Sequence, residues 1–255
     1  MIRSITFVVV ACLMYTPAVG EFSPQQLDGL ALWLDGDDAA TMTLAEDTGG
    51  VLAWHDKSDA GAEAKPLDGV QPPVHMAEML NGRGVVRFNG RNALLLGEPG
   101  QLDLQGTDDL TFFAVVRARS NGSILAKTDG SRMQYRFHIP GERTLRVALG
   151  PGGDQRDTTS TVGSRHFSLL SVVNSDQDGT RRFEMYFDGQ RENAGDAGAG
   201  TVDAPVVIGA RDRGQTQRLD FDLAELIVFD RALGASERQQ VERCLSAKFS
   251  LDDQE

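Results

Sequence analysis

The sequence predicts an all-β sandwich closed by one C-terminal helix, and three observations support this prediction. Nine Asp-Gly or Asn-Gly dipeptides are spread along the 255 residues, and such pairs favour tight β-turns because both residues tolerate positive φ. Short runs rich in Val, Ile, Phe and Tyr lie between these dipeptides, which is typical of strands. A helical period of apolar residues is found only near the C-terminus.

The predicted strands follow the turn signals along the chain. Apolar and polar residues alternate in 183–187, which predicts one face toward water. The ranges 110–116 and, except for Glu225, 223–229 are apolar on both faces and are predicted to lie in the middle of a sandwich or under a loop. The segments 57–80 and 190–204 carry the weakest pattern, and the second is predicted to be a surface loop. The predicted strands cover 30–35, 51–56, 84–89, 93–96, 110–119, 123–128, 133–139, 143–149, 166–174, 181–188, 206–210 and 219–229.

One amphipathic helix is predicted to end the chain. Ser236 can cap its N-terminus, with Gln239 completing a capping box. Its apolar stripe comprises Val241, Cys244, Leu245 and Phe249. Its water-facing side comprises Glu237, Arg238, Gln240 and Glu242. We expect the stripe to pack on the sandwich, although the same stripe would also suit a partner protein.

The first 20 residues predict a secretory signal peptide. A lone basic residue precedes a short apolar run, and small residues stand at the third and first positions before Glu21. This is the three-part pattern of a cleaved leader, and its apolar run is too short to span a bilayer. We therefore expect an exported protein, extracellular, periplasmic or at the cell surface, with one domain over 21–255 and no transmembrane segment. The alternatives are an uncleaved anchor and lipidation at Cys12.

Composition and charge argue against several other classes of protein. The formal net charge is −12, so the chain is a poor candidate for nucleic-acid binding, which depends on Lys and Arg contacts to phosphate. Hydrophobic residues make up 40% and charged residues 24%, which does not indicate a disordered chain. Once the leader is removed, Cys244 is the remaining cysteine, so an internal disulfide and a Cys-x-x-Cys site are not expected.

Six segments in order carry a family resemblance. They are 30–35 (LALWLD), 51–58 (VLAWHDKS), 85–90 (VVRFNG), 183–189 (FEMYFDG), 221–233 (FDLAELIVFDRAL) and the helix 236–249. Together they resemble the concanavalin A-like lectin/glucanase superfamily, in its laminin-G-like jelly-roll domains of secreted bacterial proteins. The resemblance implies a two-sheet antiparallel jelly-roll β-sandwich with the helix packed on it. Such domains bind carbohydrates or proteins, adhere to surfaces or accompany enzymes, so the fold leaves the function open.

Three carboxylates near the C-terminus offer an enzymatic alternative. Asp220, Asp222 and Glu225 are similar to the Glu-x-Asp-x-x-Glu motif of laminarinase-type glucanases, whose two carboxylates act across a glycosidic bond. The first position here is one methylene shorter, and few strands follow the motif. The competing interpretation is that these residues serve a turn and an ion pair, and it is favoured because spacing without context is weak.

The resemblance also allows a structural calcium ion. Asp-rich turns supply the oxygen ligands that Ca²⁺ prefers, and the candidates are Asp35, Asp37 and Asp38, or Asp220 with Asp222. Asp is equally common at turns for conformational reasons, so the metal ligands are left unassigned.

A basic hairpin supplies the candidate binding residues. If 140–142 is a three-residue loop, Arg136 lies opposite Arg146, with His138 on the same outer face. Opposed like charges destabilise a sheet, which predicts an anionic ligand, acidic residues on adjacent strands, or arginines that point apart into water. We therefore predict ligand contacts at Arg136, His138 and Arg146.

The function predicted from these observations is a non-catalytic binding module. Its partners would be a glycan or an extracellular or cell-surface protein. One alternative is a divergent glycan hydrolase, and another is a structural or adhesive envelope protein without a small ligand. Trp33 and Trp54 lie in apolar strand patterns and are predicted to be buried rather than to serve as platforms for sugar stacking.

Overall fold

The computed structural model of the chain describes residues 22–97, 102, 108–130 and 132–253. The predicted signal peptide and the lipidation candidate Cys12 lie outside the described residues. Within them, two antiparallel sheets pack face to face with one α-helix at the C-terminal end, so the predicted all-β sandwich is confirmed. Among the described residues, no helix is long and apolar enough to cross a bilayer.

Seventeen strands are formed by the described residues. In chain order they are β1 (Leu30–Asp35), β2 (Met42–Leu44), β3 (Val51–His55), β4 (Glu63–Pro66), β5 (Val74–Leu80), β6 (Arg83–Asn89), β7 (Leu94–Gly97), β8 (Leu110–Ala118), β9 (Gly122–Thr128), β10 (Met133–Ile139), β11 (Thr144–Leu149), β12 (Gln155–Thr161), β13 (Ser168–Gln177), β14 (Thr180–Phe187), β15 (Gln190–Asp196), β16 (Val206–Ile208) and β17 (Asp220–Phe229). Helix α1 spans Ala235–Phe249, and short 3-10 helices lie at Pro24–Gln26, Ala39–Thr41 and Leu251–Asp253.

The strands divide into two sheets whose order requires crossovers between them. The first sheet runs β15, β14, β13, β8, β17, β6, β5, and β1 also pairs with β17. The second sheet runs β12, β11, β10, β9, β16, β7, β4, β3, β2. As predicted, the doubly apolar strands β8 and β17 lie in the middle of the first sheet, because sandwich core covers one face and helix α1 with its flanking chain covers the other.

Five strands were not predicted, and most of them lie at sheet edges. They are β2, β4, β5, β12 and β15. The predicted surface loop over 190–204 is wrong for its first half, since Gln190–Asp196 pairs with β14. An edge strand needs hydrogen bonds on one side only and favours polar side chains that discourage further pairing, so alternation of apolar residues does not reveal it.

The core between the sheets is built from aromatic and aliphatic side chains. Phe112 of the first sheet stacks on Phe137 of the second with ring centroids 4.0 Å apart, and Phe88 stacks on Phe221 at 4.6 Å. Trp54 is fully buried in this core. Trp33 is 8% exposed and faces the helix side of the first sheet. The prediction that both tryptophans are buried is confirmed.

Helix α1 lies on the outer face of the first sheet. Val241, Leu245 and Phe249 of the predicted stripe are buried, so the predicted packing is confirmed, and Cys244 is partly exposed. The predicted cap at Ser236 is wrong. The N-cap is Gly234, whose amide donates to the Glu237 carboxylate at 2.9 Å.

Two charged residues of the helix lie against the sheet instead of facing water. Arg238 and Glu242 are both buried and bond each other at 2.6 Å. Glu242 also accepts from the Ser171 hydroxyl at 2.8 Å, and the Arg238 guanidinium lies 3.6 Å from the centre of the Tyr186 ring. Their mutual pairing permits their burial, because paired and hydrogen-bonded charges can leave water.

Candidate functional site

The β10–β11 hairpin has a longer turn than the sequence suggested. Arg143 has a φ of 66° and its amide donates to the Pro140 carbonyl at 2.9 Å, so the turn covers 140–143. His138 therefore lies opposite Arg146, and Arg136 lies opposite Ala148. The predicted opposition of Arg136 and Arg146 is wrong by two residues. A shift of two keeps the same side chains on the same face.

The hairpin and its neighbours form a basic face on the outside of the second sheet. This basic face consists of Arg136, His138, Arg146 and Arg211. Arg146 is neutralised by Asp157 of β12, which accepts two hydrogen bonds of 2.6 Å each. Arg211 lies 3.0 Å from a carboxylate oxygen of its neighbour in sequence, residue 212. Neutralising acids on an adjacent strand were one of the outcomes expected from the sequence, and Asp157 fulfils that expectation for Arg146.

Arg136 is not neutralised in this way. No carboxylate among the described residues lies within ion-pair distance of its guanidinium. Its hydrogen bonds go to the uncharged amides of Gln217 at 3.4 Å and Gln155 at 3.5 Å. Burial, together with the charges of Arg211 and Arg146, lowers the pKa of Arg136 and outweighs the opposing charge of Asp212. The basic face thus holds one partly desolvated cation without a directly bonded counter-charge.

Several buried polar atoms on this face lack hydrogen-bond partners. Within the described part of the chain, these atoms are Ser123 Oγ, Arg136 Nε, His138 Nδ1 and Thr144 Oγ1. Ser123 is the cross-strand neighbour of His138. An unsatisfied buried polar atom costs about 1–3 kcal/mol, so a group of them around one unpaired cation indicates a surface suited to a polar ligand.

His138 is the titrating group of the basic face. It is 6% exposed. Burial, with the positive charges of Arg136 and Arg146, lowers its pKa to about 4. The imidazole is therefore neutral at pH 7 and would gain a proton more readily beside an added negative charge.

The first two carboxylates of the glucanase-like motif are held by arginines. Asp222 is fully buried and accepts hydrogen bonds of 2.7–3.1 Å from Arg87, Arg117 and Arg119. Burial alone would raise its pKa, but these bonds outweigh that effect and lower the pKa to about 2. Arg119 also bonds Asp220 at 2.7 Å. This arrangement is an ion-pair network rather than an open pair of acid and nucleophile.

The third carboxylate lies beneath helix α1. A bulge in β17 between Leu223 and Glu225 turns Glu225 toward the helix side. Glu225 accepts from Trp33 Nε1 at 2.6 Å and from Lys248 Nζ at 2.6 Å, and Lys248 also bonds Asp35 at 2.6 Å. Burial raises the pKa of Glu225 to about 7 despite the nearby Lys248.

The comparison with protein families decides the classification. A family model, Laminin_G_3 of the concanavalin A-like lectin/glucanases superfamily, matches residues 89–237, which is more than half of the chain. The chain belongs to this family. The resemblance expected from the six sequence segments is thus confirmed for family and fold. No curated protein sequence matches the chain.

Solved structures share the fold of this Laminin_G_3 chain at low sequence identity. The binding domain of Paraclostridial Mosquitocidal Protein 1 has a TM-score of 0.62 and 12% identity, over 84% of this chain and 52% of that one. Botulinum neurotoxin type C, whose cell entry depends on interaction with two ganglioside molecules, has a TM-score of 0.58 and 11% identity, over 86% and 51%. Trypanosoma rangeli sialidase with sialic acid has a TM-score of 0.57 and 15% identity, over 87% and 33%. The chain thus spans about half or less of these proteins, and the similarity shows the fold alone.

The calcium ligands considered from the sequence do not fit a metal ion in this Laminin_G_3 fold. Asp35 bonds Lys57 and Lys248, Asp37 bonds Arg83, and Asp38 bonds Lys57. The carboxylates of the alternative pair, residues 220 and 222, form ion pairs with arginine. Ca²⁺ would have to displace these cations to reach the carboxylates. Among the described residues, no group of three His, Cys, Asp or Glu side chains is placed to hold a metal.

Sequence reasoning found three members of the basic face and missed the fourth. Arg211 follows β16 and reaches the hairpin from across the sheet, a proximity that depends on strand order rather than sequence pattern. Asp157 was missed as a partner of Arg146 because β12 was not predicted as a strand. The network of Asp35, Glu225 and Lys248 was also missed, since its members come from three distant segments.

Proposed function

We propose that the chain is an exported, non-catalytic, lectin-like module that binds an anionic glycan on the basic face. The observation that carries this proposal is the Arg136 guanidinium, which is half-buried, close to two other arginines and without a carboxylate partner. A carboxylate or sulfate group of a ligand would supply a directly bonded counter-charge. Arginine suits this role because its planar fork binds such groups through two parallel hydrogen bonds.

The surroundings of Arg136 favour a sugar-borne anion over a free ion. The nearby amides of Gln155 and Gln217 and the buried polar atoms of His138 and Ser123 offer both donors and acceptors. Hydroxyl groups of a sugar can use both kinds of partner. Two of the structural neighbours also support a carbohydrate ligand, since one interacts with gangliosides and one holds sialic acid, which carries a carboxylate.

We expect Arg136→Ala to weaken retention on an anionic polysaccharide by tenfold or more. A charge-assisted hydrogen bond contributes about 1.5–3 kcal/mol, and 1.4 kcal/mol is about tenfold in affinity. The measurement is affinity electrophoresis on dextran sulfate and polygalacturonate, with neutral dextran as the ligand control. Arg156→Ala is the matched variant, because Arg156 lies on β12 of the same sheet but packs toward Gly195 rather than onto the basic face.

Equal retention of Arg136→Ala and Arg156→Ala would contradict the assignment of the basic face. Loss of binding to dextran sulfate in both would indicate general charge attraction instead of a site. If the unaltered chain binds neither of the two polysaccharides and no sialylated oligosaccharide, the protein-binding or adhesive alternative is favoured. Release of reducing ends would favour the hydrolase.

Binding of a sulfated glycan should strengthen as the pH falls from 7 to 5. A sulfate near His138 raises the depressed pKa of the imidazole, so binding is accompanied by proton uptake. The expected gain over this range is about tenfold when two pKa units are recovered, because the free imidazole, with a pKa of about 4, stays mostly neutral down to pH 5. Affinity for dextran sulfate, which stays ionised in this range, should be measured by titration at several pH values. His138→Gln should remove the gain; an unchanged pH profile in this variant would exclude His138 as the titrating group.

A further inference from the structure

A second concave site lies on the opposite side of the sandwich from the basic face. It is a pocket of about 700 Å³ between helix α1, the segment around Pro24 and the outer face of the first sheet. Its floor carries Asp35, Glu225, Lys57 and Lys248 beside Trp33. Its volume lies within the range of small-molecule sites, about 300–1,000 Å³. We call this site the pocket.

The polar floor is an exception within its surroundings. Apart from the buried pair of Arg238 and Glu242, the contact between helix α1 and the first sheet is otherwise apolar, as at Phe113. Burial of ion pairs in place of apolar residues usually brings no stability, because the charges lose their hydration. Lys57 and Lys248 keep about a fifth of their side chains exposed. The charged floor therefore opens into the pocket instead of being sealed below the helix.

The pocket has unused hydrogen-bonding capacity. Lys248 has three N–H donors and makes two hydrogen bonds, and each oxygen of Asp35 and Glu225 can accept more than one. On the helix side, Gln240 and Arg243 are exposed and line the pocket. Within the described residues, neither makes a hydrogen bond or an ion pair. Donors and acceptors thus converge on the same space.

Most charges of the pocket are paired. Four cations line it, Lys57, Lys248, Arg83 and Arg243, together with the carboxylates of residues 35 and 225. The carboxylates of residues 37 and 38 lie outside this lining and pair with Arg83 and Lys57. Since three of the four cations are held by carboxylates, little unpaired charge is left to select an ion. Its walls include the apolar surfaces of Phe22, Pro24 and Trp33. Alternating donors and acceptors between apolar walls suit the hydroxyls and the C–H face of a pyranose ring.

We propose that the pocket is a second ligand site, which binds a neutral sugar residue. The inference rests on the proposed lectin-like function and adds a site with a different ligand chemistry from the anion-binding basic face. The hydroxyls of the sugar would donate to Asp35 and Glu225 and accept from Lys248 and Arg243. The two sites lie on the outer faces of different sheets, so each can be removed without altering the other.

The two tryptophans allow ligand binding in the pocket to be followed by fluorescence. Trp33 lines the pocket and donates to Glu225, whereas Trp54 is fully buried in the sandwich core. The full mature chain should be titrated with gluco-, manno-, galacto- and xylo-oligosaccharides, with emission and calorimetry as readouts. We expect a saturable change in tryptophan emission with at least one neutral oligosaccharide, and no such change in Trp33→Phe.

Blocking variants test whether the response comes from the pocket. Ala247 is exposed on helix α1 and lines the pocket, so Ala247→Phe fills it and should weaken neutral sugar binding at least about tenfold. Ser236→Phe, an exposed position on the same helix away from the pocket, is the matched control and should bind as the unaltered chain does. Arg136→Ala should also leave the neutral sugar response unchanged.

The outcomes separate the two proposals. The absence of a saturable response to any neutral oligosaccharide, or a response that survives Ala247→Phe, would overturn the pocket proposal. If dextran sulfate is still bound in that case, the proposed function at the basic face stands. If neither ligand class is bound, both proposals fail. A neutral sugar response lost in Ala247→Phe and kept in Ser236→Phe supports the pocket.

Discussion

Replacing Asp222 by Asn is expected to lower the free energy of unfolding by about 3–5 kcal/mol. Asp222 is fully buried and lies directly between Arg87 of β6 and Arg117 of β8, with Arg119 beside it. Removal of its charge leaves three arginines around a neutral amide. The loss is large because charges placed together at partly buried positions repel one another without the compensation of the carboxylate.

The same change two residues earlier provides the control. Asp220 is about one third exposed and pairs with Arg119 alone. An exposed pair of this kind contributes about 0–1 kcal/mol, so Asp220→Asn should have a small effect. Urea denaturation of both variants at pH 7 gives the comparison. Losses of similar size would show that burial and multiple pairing of Asp222 do not govern its contribution.

The parts of the fold that could be predicted are those that leave a local pattern in the sequence. Asp-Gly and Asn-Gly pairs mark turns, and two-sided apolar runs such as 110–116 mark central strands, so the sandwich and its middle strands were predictable. Edge strands such as β12 and β15 are polar, since one side of each meets solvent. Their existence depends on a neighbour supplied by the rest of the fold, and local sequence carries no such information.

The candidate site was predictable in part for a related reason. Alternation in a strand fixes which side chains share a face, so Arg136, His138 and Arg146 were placed together correctly. The pairing across the hairpin depends on the length of the turn. This turn needs a positive φ at Arg143, a conformation that an arginine does not predict. Arg238 was predicted to face water because it is charged. It is buried because it pairs with Glu242, and the helical pattern placed Glu242 on the water-facing side as well.

Two buried groups should give the stability of the protein opposite dependences on pH. Glu225 has its pKa raised from 4.5 to about 7, so it contributes stability that is complete below pH 4.5 and is lost as the pH rises through 7. His138 has its pKa lowered from 6.5 to about 4. It contributes stability that is complete above pH 6.5 and is lost as the pH falls through 4. Each effect is on the order of 3 kcal/mol.

In the unaltered chain these effects should nearly cancel between pH 5 and 6.5. Glu225→Gln leaves the His138 effect, so the free energy of unfolding should rise with pH in this range. His138→Gln leaves the Glu225 effect, so it should fall over the same range. Asp222 and Glu237 have pKa values lowered to about 2, and they lose their stabilising effect mainly below this range.

Urea denaturation at half-unit steps of pH measures both slopes, and the double variant should return a flat profile. Slopes of the same sign in the two single variants would contradict the opposite titrations. A flat or rising slope in His138→Gln would mean that Glu225 is ionised in the folded protein throughout the range, with Lys248 outweighing its burial. The sign of the slope thus distinguishes whether burial or the Lys248 pair governs Glu225, because these two influences move its pKa in opposite directions.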